Sequence, residues 1–411
     1  MRSPLPWLGA LLGLYLTVPL LAFLLRLGRG REQLESTPGL GSAISVSVQT
    51  ATISTLIIAV LGLPLAYVLS RGRGRTSGVV GILLQLPLAF PPLVSGLLLL
   101  YLVGPYTTLG DLFNGQLTDN RVGIVLAQVF VSAPFAVIAA RSAFTALDPG
   151  WEDVAATLGH GRLARFLRVA LPAAAPGIGA GLLLSWLRAF GEFGATVLLA
   201  YQPHSIPVLT YIQFGSTGLT GTTGPVLATL LISLVVVAGV PLLARLRWPV
   251  TAPVEPVPPA QLPAGAPGPV VSLNLDARLG SFHLRAGYAP AGRHVAVIGP
   301  SGSGKTMTLR LLAGLLPAGG SRVDFDGTDV SAVRAEQRGV GYVPQEPTLL
   351  PHLRLWQQVT FAVDADPRRA AYWLHRLGLT GLERRFPHER SGGQRRRVAI
   401  VRALAHSPRL L

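Results

Sequence analysis

The sequence has no cysteine, and only one of its 35 basic residues is a lysine. The absence of cysteine excludes disulfides, thiol nucleophiles and zinc sites with cysteine ligands. Charge is also scarce: charged residues make up 13% of the chain, against roughly 25% in a soluble globular protein. Two stretches, 43–70 and 76–110, contain no charged residue. Because each exceeds the roughly 20 apolar residues needed to cross a bilayer, these absences predict a membrane protein.

The first part of the chain is predicted to be a transmembrane domain of about six helices. The predicted spans are 7–26, 44–70, 78–103, 122–142, 174–200 and 225–245. The first is predicted to be an uncleaved span, because no small-x-small cleavage site follows it. From about residue 270 charged residues and turn signals return, so the second part is predicted to be a soluble α/β domain.

The arginines beside the predicted spans favour a cytoplasmic N-terminus. The short segments then predicted to lie inside contain Arg2, Arg71, Arg73, Arg75, Arg141, Arg162, Arg165, Arg168, Arg245 and Arg247. The outside segments contain fewer, with Arg26, Arg29 and Arg31 as the discordant group and Arg121 at a boundary. An even number of spans places both termini and the soluble domain in the cytoplasm. The net charge of +16 is therefore attributed to topology and membrane lipid, not to nucleic acid.

A proline-rich segment separates the two parts. Residues 248–270 contain eight prolines, a composition that favours an extended, semi-rigid spacer. The predicted domains are therefore residues 1–247, which cross the membrane, the linker 248–270, and the soluble domain 271–411.

The soluble part opens with a phosphate-binding pattern. "HVAVI" at 294–298 has the length and composition of a strand, "GPSGSGKT" at 299–306 follows, and "MTLRLLAGL" has helical spacing. Strand, glycine loop and helix are the context that GxxxxGK[ST] requires for backbone N–H groups to surround phosphates. The predicted phosphate-binding residues are Gly299, Pro300, Ser301, Gly302, Ser303, Gly304, Lys305 and Thr306. The pattern predicts that Lys305 contacts the β- and γ-phosphates of a nucleotide and that the Thr306 hydroxyl binds Mg²⁺.

This loop explains the one lysine. An ammonium is a compact charge on a flexible stem, whereas a guanidinium is a wide planar fork that does not fit the same loop. The chain has arginine at every other basic position, so replacing Lys305 by arginine should cost function.

Two further motifs follow in a fixed order. Gln345 lies forty residues after Lys305, and the four residues at 391–394 are Ser391, Gly392, Gly393 and Gln394. In this order and spacing the motifs resemble the ATPase domain of ABC transporters. The resemblance implies that Gln345 senses Mg²⁺ and the attacking water and touches the membrane partner. It also implies that the SGGQ residues close over ATP held by the other subunit, at the serine-capped start of an arginine-rich helix.

The chain departs from that family in three places. Arg390 stands where the family has leucine, and Phe282 is the nearest candidate for stacking on adenine, with core packing as the alternative. The sequence stops at Leu411, before the Asp-Glu strand and the switch histidine of the family, so a truncated reading frame with an exposed apolar sheet edge is expected. The fold expected is an all-α polytopic membrane domain fused to an α/β P-loop NTPase that is incomplete at its C-terminus. A chain that ended there would be a poor ATPase, and the alternative is a nucleotide-binding permease without hydrolysis.

The membrane part carries an independent resemblance. "DVAATLGHGRLARFLRVALP" at 153–172 resembles the cytoplasmic loop of bacterial importer permeases, whose pattern is Glu-Ala-Ala, Gly and Ile-x-Leu-Pro at set distances. The matching positions are Asp153, Val154, Ala155, Gly159, Val169, Leu171 and Pro172. The resemblance implies short helices that dock on the ATPase near Gln345 and transmit its closure to the spans. The alternative is an amphipathic loop without that role.

Two stretches bear on the substrate. Arg188 and Glu192, in "LRAFGEFGATVLLA" at 187–200, are four residues apart and are predicted to pair on one helical face, either as a functional site or as a structural ion pair. With "AFPPLVSGLLLLYLVGP" at 89–105, this stretch resembles permeases for molybdate, tungstate and sulfate, and molybdate permeases most. The resemblance implies a homodimeric importer in the cytoplasmic membrane that receives an oxyanion, first of all molybdate, from an external binding protein. Sulfate and tungstate remain alternatives, and the importer-type loop argues against an exporter.

Overall fold

The chain forms two compact units. A computed structural model describes residues 5–28, 37–72, 74–245, 267–289 and 292–411. The first unit comprises Met1–Thr145 and Gly177–Trp248, and the second comprises Ala146–Pro176 and Pro249–Leu411. Residues 146–176, hereafter the coupling loop, therefore group with the soluble part of the chain, although the membrane-length helical segment Arg162–Phe190 begins within them.

Helices make up the regular structure of the described residues before 246. Those before the coupling loop are α1 (Leu5–Gly28), α2 (Leu40–Arg71), α3 (Arg75–Leu83), α4 (Leu86–Ala89), α5 (Pro92–Val103), α6 (Thr108–Leu112) and α7 (Arg121–Thr145). The coupling loop contains α8 (Pro149–Thr157), α9 (Arg162–Arg165) and a π-helical turn at Phe166–Ala170. The next helices are α10 (Leu171–Phe190), which begins within the coupling loop, α11 (Gly194–Leu199), α12 (Ile206–Thr217) and α13 (Thr223–Arg245).

The prediction of about six membrane spans is confirmed. By length and composition, the described helical segments that can cross a membrane are Leu5–Leu27, Leu40–Arg71, Arg121–Thr145, Arg162–Phe190 and Thr220–Gly239. A sixth span results if the bent pair Arg75–Ala89 and Pro92–Val103 counts as one. Of the arginines used to orient the spans, Arg2, Arg29, Arg31, Arg73 and Arg247 lie outside the described residues.

The predicted third span, 78–103, is not one helix. The chain bends by 117° between Arg75–Ala89 and Pro92–Val103. Pro91 and Pro92 stand at the break, and a proline ring removes a backbone donor and clashes with the carbonyl four residues earlier. The helix therefore ends before Pro91, and α5 starts at Pro92 with proline in the first turn, where its missing donor is harmless.

The predicted fifth span, 174–200, is also interrupted. Helix α10 ends at Phe190 and α11 begins at Gly194. Between them Glu192 turns back, and its Oε1 accepts a hydrogen bond from the backbone N–H of Ala195 at 2.8 Å. The carboxylate thus satisfies a free donor at the start of α11, which an uninterrupted helix would not need.

Small residues let the helices of the first unit approach closely. A Cβ on Gly62 of α2 would lie 3.0 Å from Val137 Cγ2 of α7. Ser54 donates a hydrogen bond to Gln128 Oε1 at 3.0 Å across the same pair of helices. Close backbone approach and interhelical polar bonds are the usual means by which helices associate in a membrane.

The second unit contains a four-stranded antiparallel sheet. Its strands are β1 (Val271–Leu279), β2 (Phe282–Tyr288), β3 (Arg322–Phe325) and β4 (Thr328–Asp329), in the order β2-β1-β3-β4. Alternate β1 residues from Val271 to Ala277 are buried, as expected when one face of a sheet covers a core. They pack with Met307, Leu311 and Phe325 in the cluster hereafter named the sheet cluster.

The predicted strand at 294–298 does not form. The segment has no strand structure, and Val295, Val297 and Ile298 are 45%, 37% and 89% exposed. A strand needs neighbours for its backbone donors and acceptors, and among the described residues no segment pairs with this one. Apolar composition alone therefore gave the wrong secondary structure here.

Four helices complete the second unit's described part. They are α14 (Lys305–Leu312), α15 (Leu355–Val359), α16 (Pro367–Arg376) and α17 (Gly392–Ala405), with 3₁₀ turns at Ala335–Gln337 and Pro387–Glu389. Helix α14 confirms the helix predicted after the glycine loop. Helices α15, α16 and α17 enclose a second core, the helical cluster, which includes Leu355, Leu374, Val398 and Val401.

The proline-rich linker predicted at 248–270 lies mostly outside the described residues. Residues 267–270 are described and have no regular secondary structure. The predicted domain borders at 247 and 270 therefore stay predictions.

Candidate functional site

The glycine loop has the backbone that its sequence requires. Gly299, Gly302 and Gly304 have φ of 151°, 83° and 92°, a region that other residues adopt only at a cost. A Cβ on Gly304 would lie 2.8 Å from Leu284 Cδ1, and a Cβ on Gly299 would lie 2.8 Å from Ser303 Oγ. Both space and conformation therefore demand glycine at 299 and 304, as the phosphate-binding pattern predicts.

Lys305 is the first residue of α14 and turns back over the loop. Its Nζ donates hydrogen bonds to the carbonyl oxygens of Gly299 at 2.9 Å and Pro300 at 2.6 Å. Residues 299–303 are exposed, as is Thr306 in the first turn of α14. An ammonium group, a helix start and an accessible glycine loop thus lie together, an arrangement that suits a phosphate.

The predicted Mg²⁺ ligands are oxygen atoms on exposed side chains. Thr306 follows Lys305 in α14, and Gln345 lies in a bend of the loop that precedes α15. Hydroxyl and amide oxygens with bound phosphates and water are ligands that Mg²⁺ accepts, so these residues fit the ion. The described residues contain no group of three or more His, Asp or Glu side chains that could bind a metal by themselves.

Phe282 lies beside the glycine loop. Its Cε1 and Cζ would be 3.3 Å from a Cβ on Gly304, yet 40% of the residue is exposed. The ring therefore packs against the loop and also presents a free surface. Adenine stacking and core packing are both compatible with this position.

The SGGQ segment forms the capped start of α17. Ser391 Oγ accepts from the Gln394 N–H at 3.3 Å, and the Ser391 N–H donates to Gln394 Oε1 at 3.3 Å, which makes a reciprocal capping box. A Cβ on Gly392 or Gly393 would meet nothing within 4 Å. The predicted serine-capped helix is confirmed, and its first turn presents accessible backbone to solvent.

The glycine loop and the SGGQ segment of the same chain are not bonded to each other. Among the described residues, no hydrogen bond or ion pair links 299–306 to 391–394.

Arg390, which precedes the segment, has a buried Nε with no hydrogen-bond partner.

The coupling loop docks on the soluble part at two places. Asp153 Oδ2 accepts a hydrogen bond from Arg310 Nη2 of α14 at 2.7 Å. Burial raises the pKa of Asp153 above its ordinary value, although Arg310 and Arg165 act in the opposite direction. A half-buried carboxylate is thus held by a guanidinium from the helix that begins with Lys305.

The second contact is made by residues 342–363, hereafter the receiving segment. Ala155 and Val169 pack with Leu350, and Val154 and Leu158 pack with Ala362, in two small buried clusters. Gln345 lies in this segment, five residues before Leu350; a contact between Gln345 and the coupling loop stays a prediction. Leu171 and Pro172 begin α10 and are half-buried.

Backbone hydrogen bonds reinforce this docking. The Val363 N–H donates to the Leu158 carbonyl at 3.1 Å, and the His160 Nε2 bonds the Phe361 carbonyl at 2.7 Å. Next to them Gly159 has a φ of 88°, and its Cβ would lie 3.3 Å from Val363 Cβ. The glycine of the permease pattern is therefore needed both for its backbone conformation and for this close approach.

Two histidines lie in the docked region. The His352 Nε2 bonds the Arg168 carbonyl at 3.1 Å. Burial lowers the pKa of both His160 and His352 below the ordinary value of 6.5, and Arg168 and Arg165 lower the pKa of His160 further. Both rings are therefore neutral at neutral pH.

Arg188 and Glu192 form an ion pair in which Glu192 is buried. They do not share a helical face, because α10 ends at Phe190, between them. Since Glu192 also bonds the start of α11, this geometry favours the structural interpretation of the pair.

Sequence patterns missed several residues of the docked region. Arg310 and Gln358 were not predicted, nor were Arg402 and the two histidines. The spacing of α17 contained one signal: Arg402 lies four residues after Val398 on the buried face of that helix.

Comparison with known proteins agrees with both resemblances. Residues 58–247 match the family described as binding-protein-dependent transport system inner membrane component, and residues 286–411 match the ABC transporter family. The second match implies that the soluble part binds ATP.

Three curated relatives illustrate the two halves. A probable molybdenum ABC transporter permease protein of Haloferax volcanii is 48% identical over 178 residues, 43% of this chain and 66% of that protein. The molybdate/tungstate transport system permease protein WtpB of Thermococcus kodakarensis is 36% identical over 244 residues, 59% of this chain and 92% of that protein. The sulfate/thiosulfate import ATP-binding protein CysA of Neisseria meningitidis serogroup A is 38% identical over 152 residues, 34% of this chain and 43% of that protein.

The matches to permeases and to ATP-binding proteins lie in successive parts of one polypeptide, and the described spans make it a multi-pass membrane protein. The chain therefore belongs to the binding-protein-dependent ABC transporters, with an importer permease fused to an ABC ATP-binding domain.

Proposed function

We propose that this protein uses ATP to import a tetrahedral oxyanion across the cytoplasmic membrane, with molybdate as the first candidate. The observation that carries the proposal is the docking of the importer-type coupling loop on the nucleotide-binding helix, through Asp153 and Arg310 at 2.7 Å. The names of the permease relatives, which include molybdenum and molybdate/tungstate, support the choice of substrate.

The residues of the glycine loop have distinct tasks in this proposal. The backbone N–H groups of 299–304 and the Lys305 ammonium bind the phosphates, while Thr306 and Gln345 provide oxygen ligands for Mg²⁺. Gln345 also orients the attacking water. Hydrolysis of the bound ATP to ADP and phosphate supplies the free energy of transport.

A homodimer completes the nucleotide site. Ser391, Gly392, Gly393 and Gln394 are accessible at the start of α17 and make no bond to the glycine loop of their own chain. In a two-fold dimer the SGGQ segment of one copy closes over the nucleotide of the other. The helix start and its free N–H groups suit a phosphate there.

The remaining partners follow from the same proposal. The transmembrane domain (1–247) and the ATPase domain (271–411) are joined by the linker 248–270, with the ATPase and both termini in the cytoplasm. An external binding protein delivers the oxyanion. Arg188 and Glu192 shape the break between α10 and α11 and do not bind the substrate.

Uptake of radiolabelled molybdate by cells that express the protein with its binding protein tests the proposal. Lys305→Ala should abolish ATP-dependent uptake while the protein still reaches the membrane. Lys305→Arg is the matched control for charge, and it should fail as well because a planar fork does not fit the loop. Full uptake by Lys305→Ala would refute the proposal.

Sulfate and tungstate are the alternative substrates, because relatives of the ATPase part and of the permease part carry those names. Competition by each unlabelled oxyanion, with the cognate binding protein present, separates them. The oxyanion that suppresses uptake at the lowest concentration is the substrate.

A further inference from the structure

Arg402 is a buried arginine of the second unit that lies outside every motif that the sequence predicted. Arg402, in α17, is 2% exposed, and its Nη1 donates to the Thr348 carbonyl at 3.0 Å and to Gln358 Oε1 at 3.4 Å. Among the described residues it has no acidic partner. Arginine is almost never fully buried unless paired, and within the described part of the chain two neutral acceptors compensate for this burial.

Burial lowers the pKa of Arg402 to about 10, so the guanidinium remains charged at neutral pH. A charge-assisted hydrogen bond to a carbonyl is stronger than a neutral one. The bond from Arg402 to Thr348 therefore ties α17 firmly to the receiving segment.

Gln358 extends this connection. Its side chain is fully buried, its Oε1 accepts from the Leu350 N–H at 3.2 Å, and its Nε2 donates to the Leu350 and Leu353 carbonyls at 2.5 and 3.2 Å. Residues 348–353 belong to no helix or strand. Their backbone is held by side chains from α15 and α17 rather than by a regular ladder.

The coupling loop rests on the same six residues. Leu350 packs with Ala155 and Val169, and the His352 ring bonds the Arg168 carbonyl. A Cβ on Gly150 would lie 2.9 Å from Thr348 Cγ2. Contacts thus run without a gap from the helix that begins with SGGQ, through Arg402, to the coupling loop.

We propose that Arg402 is a positioning residue that makes the coupling loop follow the movement of α17. Any displacement of the SGGQ helix, as at dimer closure, is passed to residues 348–353 through one guanidinium. This inference rests on the proposed function for its purpose, because only an ATP-driven transporter needs that transmission. Lysine is a poor replacement here, since an ammonium is more strongly hydrated than a guanidinium and is therefore buried at a greater cost.

Hydrogen–deuterium exchange on the full chain in lipid nanodiscs tests the proposal. The variants are Arg402→Met, which keeps an unbranched apolar stem, and Arg402→Lys, which keeps the charge. The matched control is Arg397→Met, which removes an exposed arginine of the same helix that bonds only the Leu377 carbonyl. Binding of a fluorescent ATP analogue with Mg²⁺ is measured in parallel.

Both Arg402 variants should speed exchange in 348–353 and in α8 on the order of tenfold, and leave α14 and β1 unchanged. Arg397→Met should not affect α8. In the parent, binding of the nucleotide should change the exchange rate of α8. Arg402→Met should bind the nucleotide with an affinity within about twofold of the parent, but the exchange rate of its α8 should not respond.

Unchanged exchange in α8 would overturn the proposal, as would a nucleotide response that survives Arg402→Met. Faster exchange in α14 and β1 as well as in α8, in both Arg402 variants, would show that Arg402 has a general packing role. That result would likewise overturn the proposal. Failure of the parent to bind nucleotide would refute the proposed function, whereas the nucleotide-free comparison of α8 would still decide the role of Arg402.

Discussion

Asp153 of the coupling loop and Arg310 of α14 form a salt bridge of 2.7 Å, and both side chains are partly shielded from solvent. Arg310 follows Lys305 by five residues in the same eight-residue helix, a rise of about 7.5 Å. The helix that presents the ammonium to the phosphate loop at one end therefore binds the permease loop at the other. A rigid helix of this length transmits a displacement from one end to the other without an intermediate element.

The two histidines of the docked region, buried His160 and partly buried His352, predict that docking weakens in acid. Burial lowers the pKa of both rings from 6.5, so the undocked state, with His160 in the loop and His352 in the receiving segment, binds protons more readily than the docked state. The neutral histidines contribute fully to docking above about pH 6.5. As the pH falls toward their lowered pKa values, the docking equilibrium constant decreases by at most about tenfold per pH unit for each ring. Hydrogen–deuterium exchange of α8 between pH 7.5 and 5.5 should show this loss.

His160→Gln keeps a hydrogen-bond donor for the Phe361 carbonyl but does not titrate, so it should flatten the pH profile of α8. His375→Gln changes an exposed histidine of α16 and should leave the profile as it is. The double variant His160→Gln, His352→Gln should have a flatter pH profile of α8 exchange than the parent. Equal slopes in the two proteins would contradict this account.

The backbone geometry predicts that two glycines of the proposed nucleotide site, Gly304 and Gly392, differ in their tolerance of alanine. Gly304→Ala forces a positive φ on alanine and places Cβ 2.8 Å from Leu284, so it should cost about 1–3 kcal/mol of stability. Gly392→Ala enters open space at the start of α17 and should change stability by less than about 0.5 kcal/mol. Thermal unfolding of the purified chain measures both, and equal losses would show that the loop geometry is wrong.

The absence of cysteine makes the docked loop easy to trap. With Gly150→Cys and Thr348→Cys, the second change removes the methyl that lies 2.9 Å from the Gly150 Cβ position, leaving room for a disulfide. Mild oxidation should link the two residues in the full chain, as detected by mass spectrometry of the digested protein. The control pair Gly150→Cys and Gly392→Cys should stay reduced, because a Cβ at Gly392 has no neighbour within 4 Å. Equal yields from both pairs would argue against docking.

Local chemistry made part of this site predictable from sequence. The glycine loop and the Ser391 cap depend on residues within a few positions of each other, and the structure has both where the patterns predict them. The break at Pro91 and Pro92 was equally local, but the strongly apolar stretch around it favoured a continuous span. Proline chemistry outweighed hydropathy there.

The rest depends on contacts between distant residues. The segment 294–298 has the composition of a strand, but strand formation needs a paired neighbour that composition does not reveal. Arg402 and Gln358 are polar residues, and the packing of α17 against the receiving segment buries them. The same holds for His160, whose partner Phe361 lies 201 residues away.

Docking of the coupling loop on α14 is the central claim, and a double-mutant cycle on oxyanion uptake tests it most directly. Asp153→Asn and Arg310→Gln should each lower ATP-dependent molybdate uptake about tenfold, while nucleotide binding and membrane insertion stay intact. Uptake by the double variant should be no lower than uptake by the more impaired single variant, because each change removes the same salt bridge. The expected coupling energy is about 1–2 kcal/mol. Losses that multiply in the double variant, or single variants with full uptake, would contradict the claim.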